Sequence, residues 1–169
     1  MTISKKDFLA EIKPFEPCED GIELIESCND MEEVFKKMDG AYWKWLLKHL
    51  PQYSDTCEKY KGFEKMNGED WRWLLITRPQ YADTCEKYKG FEKINGDWVL
   101  LLKYRPQFAD TCEKYKGFEK IDGEDWVNLL KYRPQLAEKC EKYKGFEKMG
   151  GWDWGWLLET QPQLEKYRI

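Results

Sequence analysis

The stretch Cys-Glu-Lys-Tyr-Lys-Gly-Phe-Glu-Lys occurs four times without a change, at residues 57–65, 85–93, 112–120 and 140–148. Successive copies start 28, 27 and 28 residues apart. A period of this length is typical of one supersecondary unit that stacks on the next, so that the interfaces between units build one continuous core. The pattern therefore predicts a tandem-repeat protein.

Each unit is predicted to contain two helices. The first, helix A, follows the Asn67-Gly68 turn and carries Trp71, Leu74 and Leu75 on one face, at the i, i+3 and i+4 positions of a helix. It must end before Pro79, because proline disfavours helical geometry in the residue that precedes it.

Helix B is predicted from Pro51 to Lys61. Proline suits a first helical position because its φ angle is fixed near the helical value. Gly62 follows the helix and is expected to adopt the left-handed conformation that often ends one. The apolar positions Tyr53, Cys57 and Tyr60 again share one helical face.

The chain is expected to fold as a single domain over residues 1–169. Residues 1–50 combine an N-terminal cap with a degenerate repeat, 51–161 hold four repeats, and 162–169 form a C-terminal cap. A length of 169 residues with 41% hydrophobic side chains is sufficient for one core. The fold class expected is all-α, a solenoid of about four helix-pair repeats of 27–28 residues with a cap at each end.

Charge and hydropathy disfavour two classes of partner. The formal charge is −4, and residues 1–50 alone hold eleven acids and seven lysines, so the repeats are nearly neutral. Nucleic-acid binders generally present a net basic stripe, which the totals do not show. No stretch approaches the eighteen or so apolar residues of a membrane span, and no signal peptide is recognised. Six cysteines are then expected to be reduced thiols in the cytoplasm.

The repeat also carries a family resemblance. The pattern Trp-x-x-Leu-Leu followed by Pro-Gln-aromatic-Ala-Asp-x-Cys, seen here from Trp98 to Cys112, resembles repeats of uncharacterised tandem-repeat proteins of bacteria and their mobile elements. The similarity covers about residues 38–164. It implies an α-solenoid of bacterial or phage origin and no agreed activity.

Thiol chemistry is one of three functional hypotheses. Cysteines one unit apart are too distant for a disulfide, which needs Cα atoms within about 7 Å, and the repeated cysteines are expected to line the core as small apolar residues. Cys18 and Cys28 lie outside the regular array and are the candidates for a thiol-dependent enzyme. His49 is the only histidine, and no orienting partner for it is evident. We expect no catalysis, cofactor or metal.

A second hypothesis is a ligand rail for nucleic acid or nucleotides. One lysine per unit precedes the glycine of the repeated motif, and a tyrosine that could stack on bases comes just before the lysine. Glutamates at the same period would balance this charge. The rail lysines are Lys61, Lys89, Lys116 and Lys144, and the tyrosines are Tyr60, Tyr88, Tyr115 and Tyr143.

The third and preferred hypothesis rests on what varies between units. The residue two positions after each helix A tryptophan points away from the i, i+3, i+4 face, so it is expected to be at least partly exposed. Packing between units is the alternative for these side chains. The predicted partner-binding residues are Trp45, Trp73, Leu100, Asn128 and Trp156, with Tyr104 and Tyr132 adjoining them. The sequence thus favours a monomeric, non-enzymatic module, an adaptor or inhibitor, that binds another protein through one face.

Overall fold

The all-α class is confirmed. A computed structural model describes residues 3–94 and 98–168, and no β-strand occurs in these residues. The first four helices are α1 (Lys5–Ile12), α2 (Glu19–Ser27), α3 (Met31–Lys37) and α4 (Gly40–His49). The repeats add α5 (Ser54–Lys59), α6 (Gly62–Lys65), α7 (Gly68–Thr77), α8 (Ala82–Lys87), α9 (Gly90–Lys93) and α10 (Trp98–Tyr104). The chain continues with α11 (Ala109–Lys114), α12 (Gly123–Tyr132), α13 (Ala137–Lys142) and α14 (Gly151–Thr160).

Helix A is confirmed as the long helix of each unit. In α7 the side chain of Asn67 accepts a hydrogen bond from the Asp70 backbone N–H, and the Asp70 carboxylate accepts one from the Asn67 N–H. This reciprocal capping fixes the start of the helix. Leu74 and Leu75 are fully buried, as the i+3 and i+4 spacing from the tryptophan predicts. The helix ends at Thr77, two residues before the proline.

Helix B is shorter and less regular than predicted. Its first residues form 3₁₀ turns, and only the second half is α-helical, in α5, α8, α11 and α13. The 3₁₀ turns span Pro51–Tyr53, Pro79–Tyr81, Pro106–Phe108 and Pro134–Leu136. Each unit also contains a third helical segment after the glycine, formed by α6 and α9 and by the 3₁₀ turns Phe118–Lys120 and Phe146–Lys148. The expectation of two helices a unit is therefore wrong in detail.

The prediction that Gly62 supplies the left-handed residue after helix B is also wrong. Lys61 adopts this conformation, with φ 57°, whereas Gly62 begins α6. In the third copy the Lys116 N–H donates to the Glu113 carbonyl and the Gly117 N–H to the Cys112 carbonyl, which is the bond pattern of a Schellman helix end. The same left-handed lysine recurs at Lys89, Lys116 and Lys144.

The glycine is needed for close packing instead. A Cβ atom on Gly117 would lie 2.6 Å from both the Cys112 Sγ and the Trp98 ring, closer than real side chains approach. Equivalent short distances occur at Gly62, Gly90 and Gly145. Glycine is therefore required at this position by close packing and not by a left-handed backbone.

The long helices stack in chain order. Neighbouring pairs are α4 with α7, α7 with α10, α10 with α12, and α12 with α14. Their tryptophans and leucines join one buried cluster with residues of α1, α2 and α3. The one-residue shortening before Trp98 lies at 95–97, outside the described residues. The chain is thus a solenoid-like array of helical repeats in which each unit packs on the next.

The two ends of the chain differ in structure from the repeats. Ser4 caps α1, which buries Phe8 and Ile12. Residues 1–50 retain part of a unit, since Asp39 caps α4 as Asn67 caps α7. At the other end a 3₁₀ segment, Pro162–Tyr167, buries Leu164.

Candidate interaction surface

The constant residues of the repeat form an aromatic ladder that runs through the interior. Phe63 stacks between Trp71, with ring centroids 5.7 Å apart, and Tyr88 of the next unit, 5.2 Å away. Phe118 stacks in the same way between Trp126 and Tyr143, at 5.5 and 5.3 Å. Each phenylalanine therefore joins two units, which accounts for its presence in every copy.

Constant charged residues also join neighbouring units. The Glu58 carboxylate accepts hydrogen bonds from the Lys87 Nζ at 2.5 Å and the Tyr88 hydroxyl at 2.9 Å. The last lysine of the motif caps the preceding unit: the Nζ atoms of Lys65 and Lys93 donate to the carbonyls of Met38 and Met66. These bonds satisfy polar groups that would otherwise be left at the unit boundaries.

A ladder of hydrogen bonds also lies at the C-terminal ends of the long helices. The residue before Pro79, Pro106, Pro134 and Pro162 donates to a carbonyl in the last turn of the long helix one unit earlier. These bonds run from Arg78 Nε to Lys48, Arg105 Nε to Ile76, Arg133 Nε to Lys103, and Gln161 Nε2 to Lys131, over 2.7 to 3.0 Å. A cationic or amide donor at a helix C-terminus satisfies free carbonyls and complements the helix dipole. The constant positions of the unit are accordingly explained by folding.

The exposed hydrophobic side chains lie elsewhere, on one stripe of the long helices. We call the residues Trp73, Leu100, Tyr104, Asn128, Tyr132, Trp152 and Trp156 the outer stripe. Among the described residues, the large hydrophobic side chains classed as exposed all belong to it: Trp73 (39%), Tyr104 (50%), Tyr132 (56%), Trp152 (85%) and Trp156 (54%). Such an ordered concentration of solvent-exposed rings is a feature of interaction surfaces.

Lysines connect the rings of the outer stripe from helix to helix. The Nζ of Lys103 on α10 lies 3.7 Å from the ring centroid of Tyr132 on α12. The Nζ of Lys131 on α12 lies 5.7 Å from the ring of Trp156 on α14. These cation–π distances show that the stripe is continuous from α10 to α14.

The predicted row is more exposed at its C-terminal end than at its start. Trp45 is half-buried, and its ring lies 5.0 Å from that of His49. Leu100 is also half-buried, whereas Asn128 is exposed. The expected exposure therefore holds for most of the row, and packing accounts for part of the Trp45 side chain.

Trp152 was missed by sequence reasoning. It occupies the position two residues before the helix A tryptophan, where other units have Ala41, Glu69 and Glu124, so no repeated aromatic signal points to it. Its spacing of four residues from Trp156 places both rings on the same side of α14, and this spacing was the signal available.

The lysines of the predicted rail are exposed, but the tyrosines beside them already pack against other aromatic rings. Lys61, Lys89, Lys116 and Lys144 all reach solvent. The rings of Tyr60, Tyr88, Tyr115 and Tyr143 stack on phenylalanines of the preceding units. One side of each of these tyrosine rings is therefore already engaged within the fold.

The repeated cysteines lie in the core, as predicted. Burial raises the pKa of the Cys57, Cys85 and Cys112 thiols far above the ordinary value, and that of Cys140 to about 12. Thiols of this kind react slowly, because the thiolate is the nucleophile. Of the two proposed reactive thiols, Cys28 is buried and Cys18 is exposed.

His49 is held by aromatic packing. Its ring lies 5.0 Å from those of Phe15 and Trp45. Burial, together with the charges of Lys48 and Arg78, lowers the pKa of the imidazole below its ordinary value. In the described part of the chain, no three His, Cys, Asp or Glu side chains are placed to hold a metal ion.

Comparison with known proteins gives no match to a family model, a curated protein or a solved structure. The resemblance to uncharacterised bacterial tandem-repeat proteins stays a prediction. None of the described helices has the length and apolar character that crossing a membrane requires.

Proposed function

We propose that this protein is a non-enzymatic interaction module that binds another protein through the outer stripe, as an adaptor or an inhibitor. The observation that carries the proposal is the concentration of exposed rings on one side of the long helices, at positions that differ between units. Trp and Tyr supply large contact areas and are enriched among the residues that dominate binding energies.

The architecture supports this function energetically. Neighbouring units are tied by stacked rings, ion pairs and capped helix ends, so the stripe is presented on an ordered scaffold. Little backbone freedom remains to be lost on binding, which leaves more of the contact energy as affinity. Lys103 and Lys131 lie among the rings, so the partner surface is expected to combine apolar side chains with carboxylates.

The test is an affinity capture from a lysate of the source organism with two matched variants. The stripe variant is Trp73→Ala/Tyr132→Ala/Trp156→Ala, and the rail variant is Lys61→Gln/Lys89→Gln/Lys116→Gln. Both change three exposed side chains, and circular dichroism checks that both remain folded. A protein retained by the wild type and the rail variant, and lost by the stripe variant, is the expected result.

Two outcomes would contradict the proposal. Equal retention by the stripe variant would place the binding site elsewhere. Recovery of nucleic acid alone, released at moderate salt and lost in the rail variant, would favour the lysine rail instead.

A further inference from the structure

A cavity of about 240 Å³ lies in the N-terminal cap, and residues of α1, α2, α3 and α4 line it. We call it the cap cavity. It shares only Trp45 with the predicted partner-binding residues, and none of the outer stripe residues lines it. The cap cavity is therefore a second candidate site, separate from the proposed interaction surface.

The floor of the cap cavity is apolar and buried. Phe8 and Ile12 of α1, Val34 of α3 and Leu46 of α4 line it, and each is at most 2% exposed. The Phe8 ring packs edge-on against that of Phe35, with centroids 5.7 Å apart. A floor built from three packed helices keeps its shape, so the site is largely formed before a ligand binds.

Two aromatic rings also line the cap cavity, and both are half-buried. They belong to Tyr42 and Trp45 of α4. A Cβ on Gly21 would lie 3.4 Å from the Tyr42 ring, and the Trp45 ring centroid is 5.0 Å from that of His49. Each ring thus packs on a neighbour. Rings held in this way favour offset or edge-on contacts with a flat aromatic ligand.

Charge at the cap cavity is already paired. Among the described residues that line it, Lys44 is the one charged side chain, and its Nζ lies 3.1 Å from the Asp70 carboxylate of the next unit. Asp70 is buried, so it holds this ammonium group as its counterion. An ion that entered the cavity would lose hydration without gaining an opposite charge, which is costly. The lining therefore disfavours cations and anions alike.

The volume limits the size of the ligand. An apolar cavity of about 150 Å³ accepts benzene, so a volume of about 240 Å³ suits a molecule of about ten non-hydrogen atoms. Pockets for drug-sized ligands start at about 300 Å³. A nucleotide is both larger than this cavity and charged.

We propose that the cap cavity binds a neutral, mainly apolar aromatic compound of one or two rings. The ring lies on the floor formed by Phe8, Val34 and Leu46. Its edge meets the side chains of Tyr42 and Trp45. Because the cap cavity is separate from the outer stripe, this site stands or falls independently of the proposed interaction function.

The test compares three probes that share a phenyl ring on a two-carbon chain: 2-phenylethanol, 2-phenylethylammonium and phenylacetate. Cys18 reports occupancy, because it lines the cavity and is exposed, whereas the other five cysteines are buried. The neutral alcohol is expected to slow the alkylation of Cys18 by iodoacetamide several-fold and to raise the melting temperature of the full chain. The dissociation constant, taken from the concentration dependence of protection, should be at least about tenfold higher for each ion.

Two outcomes would overturn the proposal. Absence of protection by 2-phenylethanol up to its solubility limit would show that the cavity takes no neutral ring. Binding of either ion as tight as that of the alcohol would show that the site selects charge, and a preference for phenylacetate would assign that selection to Lys44.

A pair of variants locates the bound probe. Ala41 lines the cap cavity and is exposed, so Ala41→Leu reduces the space without entering the core, and it should raise the dissociation constant of 2-phenylethanol several-fold. Ala10→Leu, at an exposed alanine of α1 outside the lining, is the matched control and should leave that constant unchanged. Equal binding by the wild type and Ala41→Leu would contradict the placement.

The stripe variant separates the two sites. Trp73→Ala/Tyr132→Ala/Trp156→Ala changes no residue of the cap cavity, so it should bind 2-phenylethanol as the wild type does. Loss of probe binding in this folded variant would place the probe on the outer stripe and overturn the assignment to the cap cavity.

Discussion

The long helices carry the same residues in every unit on their inner side and different residues on their outer side. On the inner side each unit repeats a tryptophan, two leucines and the contacts to phenylalanine and cysteine, and these side chains are buried. On the outer stripe the equivalent positions hold Trp73, Leu100, Asn128 and Trp156. Residues that are identical between units lie at the interfaces between units. The exposed positions differ from unit to unit, so they are the ones that can be adapted to a partner.

The largest effect is expected on the inner side. Leu102 is fully buried between units, and Leu102→Ala should lower the free energy of unfolding by about 2–5 kcal/mol, because the removed atoms leave a cavity. Urea unfolding followed by circular dichroism measures this change. A shift too small to detect would mean that α10 does not bury this face.

The second effect compares two glycines at the same position of the repeat, one packed against the following unit and one facing solvent. A Cβ on Gly123 would lie 2.3 Å from the Lys148 carbonyl oxygen, whereas one on Gly151 meets nothing within 4 Å. Gly123→Ala should therefore cost about 1–3 kcal/mol, and Gly151→Ala should be neutral or slightly stabilising. Equal effects of the two substitutions in thermal melts would contradict the stacking of α12 on the following unit.

The third effect concerns the ladder at the ends of the long helices. Arg133→Ala removes the bond from the Nε to the Lys103 carbonyl and should cost about 1 kcal/mol. Arg133→Gln should restore much of this loss, because Gln161 makes the equivalent bond with its side-chain amide. If both variants lose the same stability, the positive charge matters rather than the hydrogen bond.

The fourth effect is a change in how stability depends on pH in the acid range. Hydrogen bonds from Lys139, Lys142 and Tyr143 lower the pKa of Glu113 to about 2. Because this value lies below the ordinary 4.5, the contribution of the carboxylate to stability is present above about pH 4.5 and is lost as the pH falls toward 2. Glu113→Gln should flatten the fall in melting temperature over this range. Glu147→Gln, at an exposed acid of the motif, is the control and should follow the wild type.

The smallest effect on stability is expected on the outer stripe. Tyr132→Ala should change the free energy of unfolding by less than about 1 kcal/mol, since the ring is exposed and its cation–π contact with Lys103 lies at the surface. A loss comparable to that of Leu102→Ala in the same urea titration would place Tyr132 in the core and remove it from the proposed surface.

Much of this comparison could be predicted from the sequence. The Asn67-Gly68 turn, the spacing of Trp71, Leu74 and Leu75, and the proline predict the long helix correctly. The i+2 position of Trp73 predicts its exposure. These features depend on local geometry, which one unit is sufficient to specify.

The features that the sequence did not predict depend on packing between units. The close approach of Gly117 to Trp98 and the stacking of Phe118 on Tyr143 join distant positions, so a single unit does not reveal them. The sequence also suggested the glycine as the left-handed residue, whereas Lys116 adopts that conformation and Gly117 packs closely against Trp98.

The most direct test of the central claim is photo-crosslinking in cells of the source organism, with benzoylphenylalanine at one position at a time. Tyr132 represents the outer stripe and Lys116 the rail, and both are exposed. The account predicts a discrete crosslinked protein partner from position 132 and none from position 116. A partner crosslinked only from position 116 would contradict it.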